Sequence, residues 1–182
     1  MTQQLVGTGL LAGTWTIDPS HSEVGFSVRH LMSKVRGRFT EFTGAIVTTE
    51  DPSASTVEVA ISTASVTTGN EQRDGHLRSA DFFHPEAGQQ IVFASTGVTA
   101  GDDGYVISGN LTINGTTLPV DLAAEFLGVA VDAYGATRLG AEASTSISRK
   151  AYGVDFNVPL DGGKLLIGDK IDITLSIEAV LS

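Results

Sequence analysis

A period of two is the feature that most narrows what this chain can fold into. Ile171, Ile173, Leu175 and Ile177 alternate with Asp172, Thr174, Ser176 and Glu178. On an extended backbone that spacing puts branched apolar side chains on one face and polar ones on the other, whereas a helix would scatter them around its circumference. The same alternation runs through Val24, Phe26, Val28 and His30, with Gly25, Ser27 and Arg29 between them. It returns in Val57, Val59 and Ile61, in Ile91, Phe93 and Ser95, and in Tyr105, Ile107, Gly109, Leu111 and Ile113. Between Val35 and Thr49 it passes through Val35, Gly37 and Phe39, then changes phase to Phe42, Gly44 and Ile46, which predicts a bulge or bend.

Turn residues separate these runs. Asp103-Gly104 precedes one strand, and Asp161-Gly162-Gly163 marks another break. Asn114-Gly115 joins Leu111–Ile113 to a stretch from Leu118 to Leu127, as a two-residue hairpin needing φ > 0 would. Val129 to Gly135 and Arg138 to Ser148 form the arms of a further long hairpin. The count is eight or nine strands in an antiparallel meander. No composition shift, proline-rich linker or repeat divides the chain of 182 residues, so a single domain is expected. One segment departs from the pattern: from Asn70 to Phe83 an N-cap residue, an early acid at Glu71 and few β-branched side chains predict a short helix. Its apolar stripe holds little beyond Leu77 and Ala80, so it is expected to cross a sheet or cover the open end of a barrel rather than build a second layer.

Eight or more antiparallel strands can form a sandwich or a closed barrel, and closure removes the edges. Residue size favours a barrel with internal space. Gly37, Gly44, Gly109, Ala124, Ala143 and Thr145 are candidate inward positions, and aromatic residues make up only 7% of the chain. Small liners leave room for a slender hydrophobic molecule. The other reading is that glycine and alanine relieve bending at barrel corners.

Composition removes several chemistries. Without cysteine there are no disulfides, thiolate metal sites or cysteine nucleophiles. A net charge of −10 weighs against nucleic-acid partners and against docking on anionic lipid unless the cations cluster. Arg29, Lys34, Arg36 and Arg38 do cluster, as a solvated strand face or as a site for an acidic head group. No segment approaches the roughly 18 uncharged apolar residues of a membrane helix. The apolar run from Leu5 to Ala12 has no basic flank before it, so the expectation is a cytoplasmic protein without stable membrane insertion.

The four histidines, His21, His30, His76 and His84, show no metal-ligand spacing. His21 and Ser22 are neighbours on extended backbone and point to opposite faces, which argues against a base and nucleophile pair. No nucleophile elbow, phosphate-binding loop or dinucleotide fingerprint is present. Arg73, Asp74, His76 and Asp81 form the densest polar group. Its expected role is to pin the helix to the barrel, with contact to a ligand's polar end as the alternative.

Several fragments together resemble the YceI-like family in order and spacing. They are Asp18-Pro19-Ser20-His21-Ser22, Phe26-Ser27-Val28-Arg29-His30, Gly37-Arg38-Phe39 with Phe42 and Gly44, the run from Arg73 to Phe83, Gly109 to Gly115, and Ser148-Arg149 with Gly153. The likeness covers residues 14–182, leaving 1–13 as an N-terminal extension. It implies a lipocalin-like, extended eight-stranded antiparallel barrel with one helix over it, whose apolar tunnel holds a polyisoprenoid or isoprenoid quinone. It further implies a carrier or storage protein, often a homodimer, with no established catalytic residues; with no metal-ligand spacing in the sequence, no metal and no cofactor beyond the bound lipid are expected. The expected ligand contacts are Phe26, Val28, Phe39, Phe42, Leu77, Phe82, Phe83, Phe93, Leu111, Phe126 and Ile147. His30 and Arg36, or Arg38, would stand at the mouth, where a quinone oxygen or a pyrophosphate could meet them. Gly75 stands where the family pattern usually has a bulky residue, which implies a looser helix and a wider mouth. Two competing functions are a small hydrolase or isomerase built on the histidines, and a stress-related interaction platform with a filled interior.

Overall fold

The computed structural model describes residues 10–83, 90–101 and 103–182. The alternating runs form β1 (Gly13–Ile17), β2 (Glu23–His30), β3 (Ser33–Phe39), β4 (Phe42–Thr48), β5 (Thr56–Ser62) and β6 (Val66–Thr67), followed by helix α1 (Glu71–Leu77). The second half supplies β7 (Gln90–Ala100), β8 (Tyr105–Ile113), β9 (Thr116–Val131), β10 (Thr137–Ser148) and β11 (Ile167–Leu181). All pairings are antiparallel.

β1 bonds β4 on one edge and the end of β11 on the other, closing an eight-stranded barrel in the order β1-β4-β5-β7-β8-β9-β10-β11. The remaining strands lengthen this ring. β2 continues beyond β1 along the same edge of β11, since Ile17 pairs with Ala179 and Val24 with Leu175. β3 continues the line of β4, and β6 the line of β5, through Phe39 opposite Val66. The phase change predicted between Val35 and Thr49 is the joint between β3 and β4 at Thr40-Glu41; it turns both Phe39 and Phe42 into the core.

One of the expected turns meets its conformational demand directly. Asn114 and Gly115 have φ of 50° and 78°, the left-handed pair that a tight hairpin between β8 and β9 needs. The stretches Leu118–Leu127 and Val129 onward, predicted as separate arms, are one continuous β9, with a register shift opposite Gly128 on β10.

α1 is shorter than the predicted segment. Asn70 caps it, its Oδ1 accepting from the Arg73 N–H at 2.9 Å. It ends by Leu77 because Ser79 and Asp81 compete for the backbone: Ser79 Oγ donates to the His76 carbonyl at 2.6 Å and accepts from the Asp81 N–H at 3.3 Å. The chain then turns so that Phe83 N–H bonds the Leu77 carbonyl. Asn114 Nδ2 donates to the Phe82 carbonyl, which fastens this segment beneath the β8–β9 hairpin. α1 and Phe82–Phe83 therefore lie at the barrel end shared by the β2–β3 and β8–β9 turns and the connection after β10. Among the described residues no helix is long and apolar enough to cross a membrane.

The inward-facing glycines do a different job from the one their size suggested. A Cβ on Gly37 would fall 2.4 Å from the Phe26 ring, and one on Gly109 2.5 Å from the Phe93 ring. A Cβ on Gly44 would stand 2.7 Å from Ile17. Each glycine seats a neighbour's side chain, so these positions neither leave volume open nor merely relieve bending.

Candidate ligand-binding cavity

Inside the barrel is a cavity of about 240 Å³. Its wall is the inward phase of nearly every strand: Ile17 from β1, Val24, Phe26 and Val28 from β2, Phe39 from β3, Ile46 from β4, and Val57, Val59 and Ile61 from β5. Ile91 and Phe93 of β7, Ile107, Leu111 and Ile113 of β8, and Val120, Leu122 and Ala124 of β9 continue it. Ala141, Ala143, Thr145 and Ile147 of β10 and Ile167, Ile171, Ile173, Leu175 and Ile177 of β11 close the ring. Leu77, Phe82 and Phe83 reach it from α1 and the segment that follows. So many lining residues around so small a volume make the space narrow and drawn out. Alternation explains why it is greasy: one strand face is turned inward throughout, and that face is mostly branched aliphatic or aromatic, with alanines and Thr145 on β9 and β10. Glu142 is among the few polar residues that line the cavity.

Of the expected contacts, Phe26, Val28, Phe39, Leu77, Phe82, Phe83, Phe93, Leu111 and Ile147 stand together on this wall, and four residues do not. Phe42 is buried in the core beside the β3–β4 joint, away from the cavity. Phe126 packs against the core farther along β9, past Ala124. His30 closes β2 opposite Ser33 and Ile167, at the rim. Arg36 and Arg38 are exposed because Val35, Gly37 and Phe39 take the inward phase of β3. All four clustered cations lie on the outer face, with Arg29 directly opposite Lys34. The small residues Ala124, Ala143 and Thr145 do line the cavity.

The polar cluster on α1 acts on the chain's own backbone. Thr68, just after β6, donates its N–H and hydroxyl to buried Asp74 at 2.8 and 2.5 Å. Arg73 donates through Nε to Thr68 Oγ1 at 2.7 Å and through Nη2 to the Thr68 carbonyl at 3.1 Å. Arg73 and Asp74 thus meet through Thr68 and clamp the strand-to-helix link. Burial works against the charge on Asp74, but the hydrogen bonds from Thr68 outweigh it and hold the carboxyl below its ordinary range. His76 pairs with Asp81 at 2.8 Å and packs its ring edge-on against Phe82 and Phe156.

A second polar network sits at the opposite end of the barrel. Arg138 donates Nε to Asp132 at 2.6 Å, and Nη1 to Asp18 at 2.8 Å and Glu178 at 2.9 Å. Asp18 also bonds His21, and Ser22 exchanges hydrogen bonds with the Glu178 backbone. His21 and Ser22 are therefore engaged separately, in holding the β1–β2 joint to β11. His84 lies outside the described residues. Among those residues no three His, Asp or Glu side chains form a group able to hold a metal ion.

Sequence reasoning missed the segment after β10 as part of the wall. Arg149, Tyr152 and Val154 all line the cavity. Arg149 is buried and donates to four carbonyls: Nε to Gly168 at 2.8 Å, Nη1 to Val154 and Phe156 at 2.8 and 2.9 Å, and Nη2 to Ile167 at 3.3 Å. Loss of hydration lowers its affinity for the proton, and Asp169 and Asp155 partly compensate through space. The available signal was Gly153, whose φ of 76° closes a one-turn 3₁₀ helix and tucks Tyr152 inward.

With the cavity defined, comparison with known proteins places the chain. Residues 15–179 match the YceI-like domain. The chain belongs to the YceI-like family. It is 38% identical over 174 residues to the YceI protein of Escherichia coli, covering 93% of this chain and 88% of that protein. Among solved structures, Burkholderia cenocepacia BcnA superposes with a TM-score of 0.78 at 19% identity, over 90% of this chain and 99% of BcnA. A polyisoprenoid binding domain from Saccharophagus degradans superposes with a TM-score of 0.67 at 16% identity, over 94% of this chain and 100% of that domain. At such identities the two structures share the barrel fold with this member of the YceI-like family.

Proposed function

We propose that this protein binds a long polyisoprenoid, or the prenyl tail of an isoprenoid quinone, inside its barrel and carries or stores it. The observation that supports this reading is the narrow cavity whose wall is apolar along its length. Transfer of a methylene-sized group from water into such surroundings is worth about 0.8 kcal/mol, so a chain of repeated isoprene units accumulates affinity without polar contacts at each step. The Saccharophagus degradans domain of the same fold, described as polyisoprenoid binding, is consistent with it. Native mass spectrometry of protein purified without detergent, paired with solvent extraction of the same sample, tests the reading. The expected result is a hydrocarbon-rich adduct that the solvent removes. Protein from several expression hosts that never carries such an adduct, and takes none up from prenyl lipid, would contradict it.

The histidine-based enzyme has no comparable support. His21 and His76 are each bonded to a carboxylate and neither lines the cavity.

A further inference from the structure

Among the described residues, one buried side-chain polar atom is left without a hydrogen-bond partner. Tyr152 is 2% exposed and lines the cavity, yet its hydroxyl has no hydrogen-bond partner among the described residues. Buried polar groups are nearly always paired, and an orphan needs an explanation. The turn that carries it is tightly tied. Ser148 Oγ and the Lys150 N–H both donate to Asp169, and the Val154 N–H returns to the Arg149 carbonyl.

Arg149 also lines the cavity. Its guanidinium has five N–H groups, and the four carbonyls it meets leave one on Nη2. It makes no ion pair among the described residues. A buried phenol O–H with no partner favours an acceptor oxygen brought in by a ligand.

Accepting the reading that the cavity holds a prenyl chain, we propose that the Tyr152 hydroxyl receives an uncharged acceptor oxygen at the end of that chain, such as a ring carbonyl. The ligand then lies with its oxygen-bearing end inward, at the barrel end covered by α1, Phe82 and Phe83, and its tail runs toward the β9–β10 turn. A diphosphate fits poorly. Its oxygens need several donors and full charge compensation when buried, and this mostly apolar wall, with the acidic Glu142 among its few polar residues, does not supply them. Burial pushes the Tyr152 phenol up, which keeps it a neutral donor at ordinary pH.

The test compares wild type with Tyr152→Phe, which removes only the oxygen. Three probes of matched length are used: a prenylated benzoquinone, a prenyl hydrocarbon and a prenyl diphosphate. Wild type should bind the quinone about five- to tenfold more tightly than the hydrocarbon, the usual worth of one well-made buried hydrogen bond. In Tyr152→Phe that preference should vanish while hydrocarbon affinity stays within about twofold. The variant without lipid should melt at a higher temperature than wild type, because the orphan hydroxyl is gone. An unchanged quinone preference in Tyr152→Phe, or a diphosphate that outbinds the quinone, would overturn the proposal. If the hydrocarbon binds and the quinone gains nothing over it, the prenyl-binding cavity stands and this contact falls. If no probe binds either protein, both fall.

Discussion

Gly109 illustrates how a missing side chain can matter more than a present one. The Phe93 ring lies where a Cβ would be, with the Ala94 carbonyl 2.6 Å from the same point. Gly109→Val should cost about 1–3 kcal/mol, measured by urea unfolding, because neither ring nor backbone can retreat in a closed sheet. Alternation reveals that Gly37, Gly44 and Gly109 face inward but not which neighbour leans over them, since that depends on pairing between distant segments. Asp18 gives a second prediction. The hydrogen bond from Arg138, then that from His21, brings its carboxyl down from 3.8 to about 2. The folded chain thus keeps it ionised where the unfolded chain would protonate it. Its stabilisation is complete above pH 3.8 and is lost as pH falls through about 2. Thermal melts should show stability falling across that window in wild type and a flatter profile in Asp18→Asn. An identical slope in the variant would mean that other carboxylates carry the acid sensitivity.

At the scale of elements, the period-two runs were legible because each strand has one buried face, and that constraint is written locally. The joints were not. That β2 prolongs β1 and β3 prolongs β4 is decided by β11 on one side and by β5 and β6 on the other, so the sequence shows only a phase change at Thr40-Glu41. The helix was visible in Asn70 and Glu71, but its early end depends on Ser79 and Asp81 turning back on the chain. The Arg149–Tyr152 turn went unread because it belongs to no alternating run. Two predictions belong here. Asp74→Ala would strand the Thr68 N–H and should cost about 2 kcal/mol in urea unfolding. It should also speed release of a bound chain in stopped-flow exchange, since α1 covers one end of the cavity. Lys34→Glu replaces a like-charge pair with an ion pair opposite Arg29, and should raise stability by a few tenths of a kcal/mol at low salt. Added salt should erase that gain.

For the whole molecule, closing one amphipathic sheet on itself gives every strand's apolar face the same interior, and the residues at each level decide whether that interior is plugged or passable. Large side chains and seated rings fill much of it, while Ala124, Ala141, Ala143 and Thr145 leave room along β9 and β10. On the proposed function, this remaining space takes a chain along its length. Isothermal titration with prenyl chains of increasing length, against wild type and Ala143→Phe, tests it most directly. The prediction is one chain per barrel, affinity that rises and a heat capacity change that grows more negative with each added isoprene unit until the cavity is filled, and loss of the longer-chain gain in the folded Ala143→Phe variant. Affinity independent of chain length, and equal in wild type and Ala143→Phe, would contradict it.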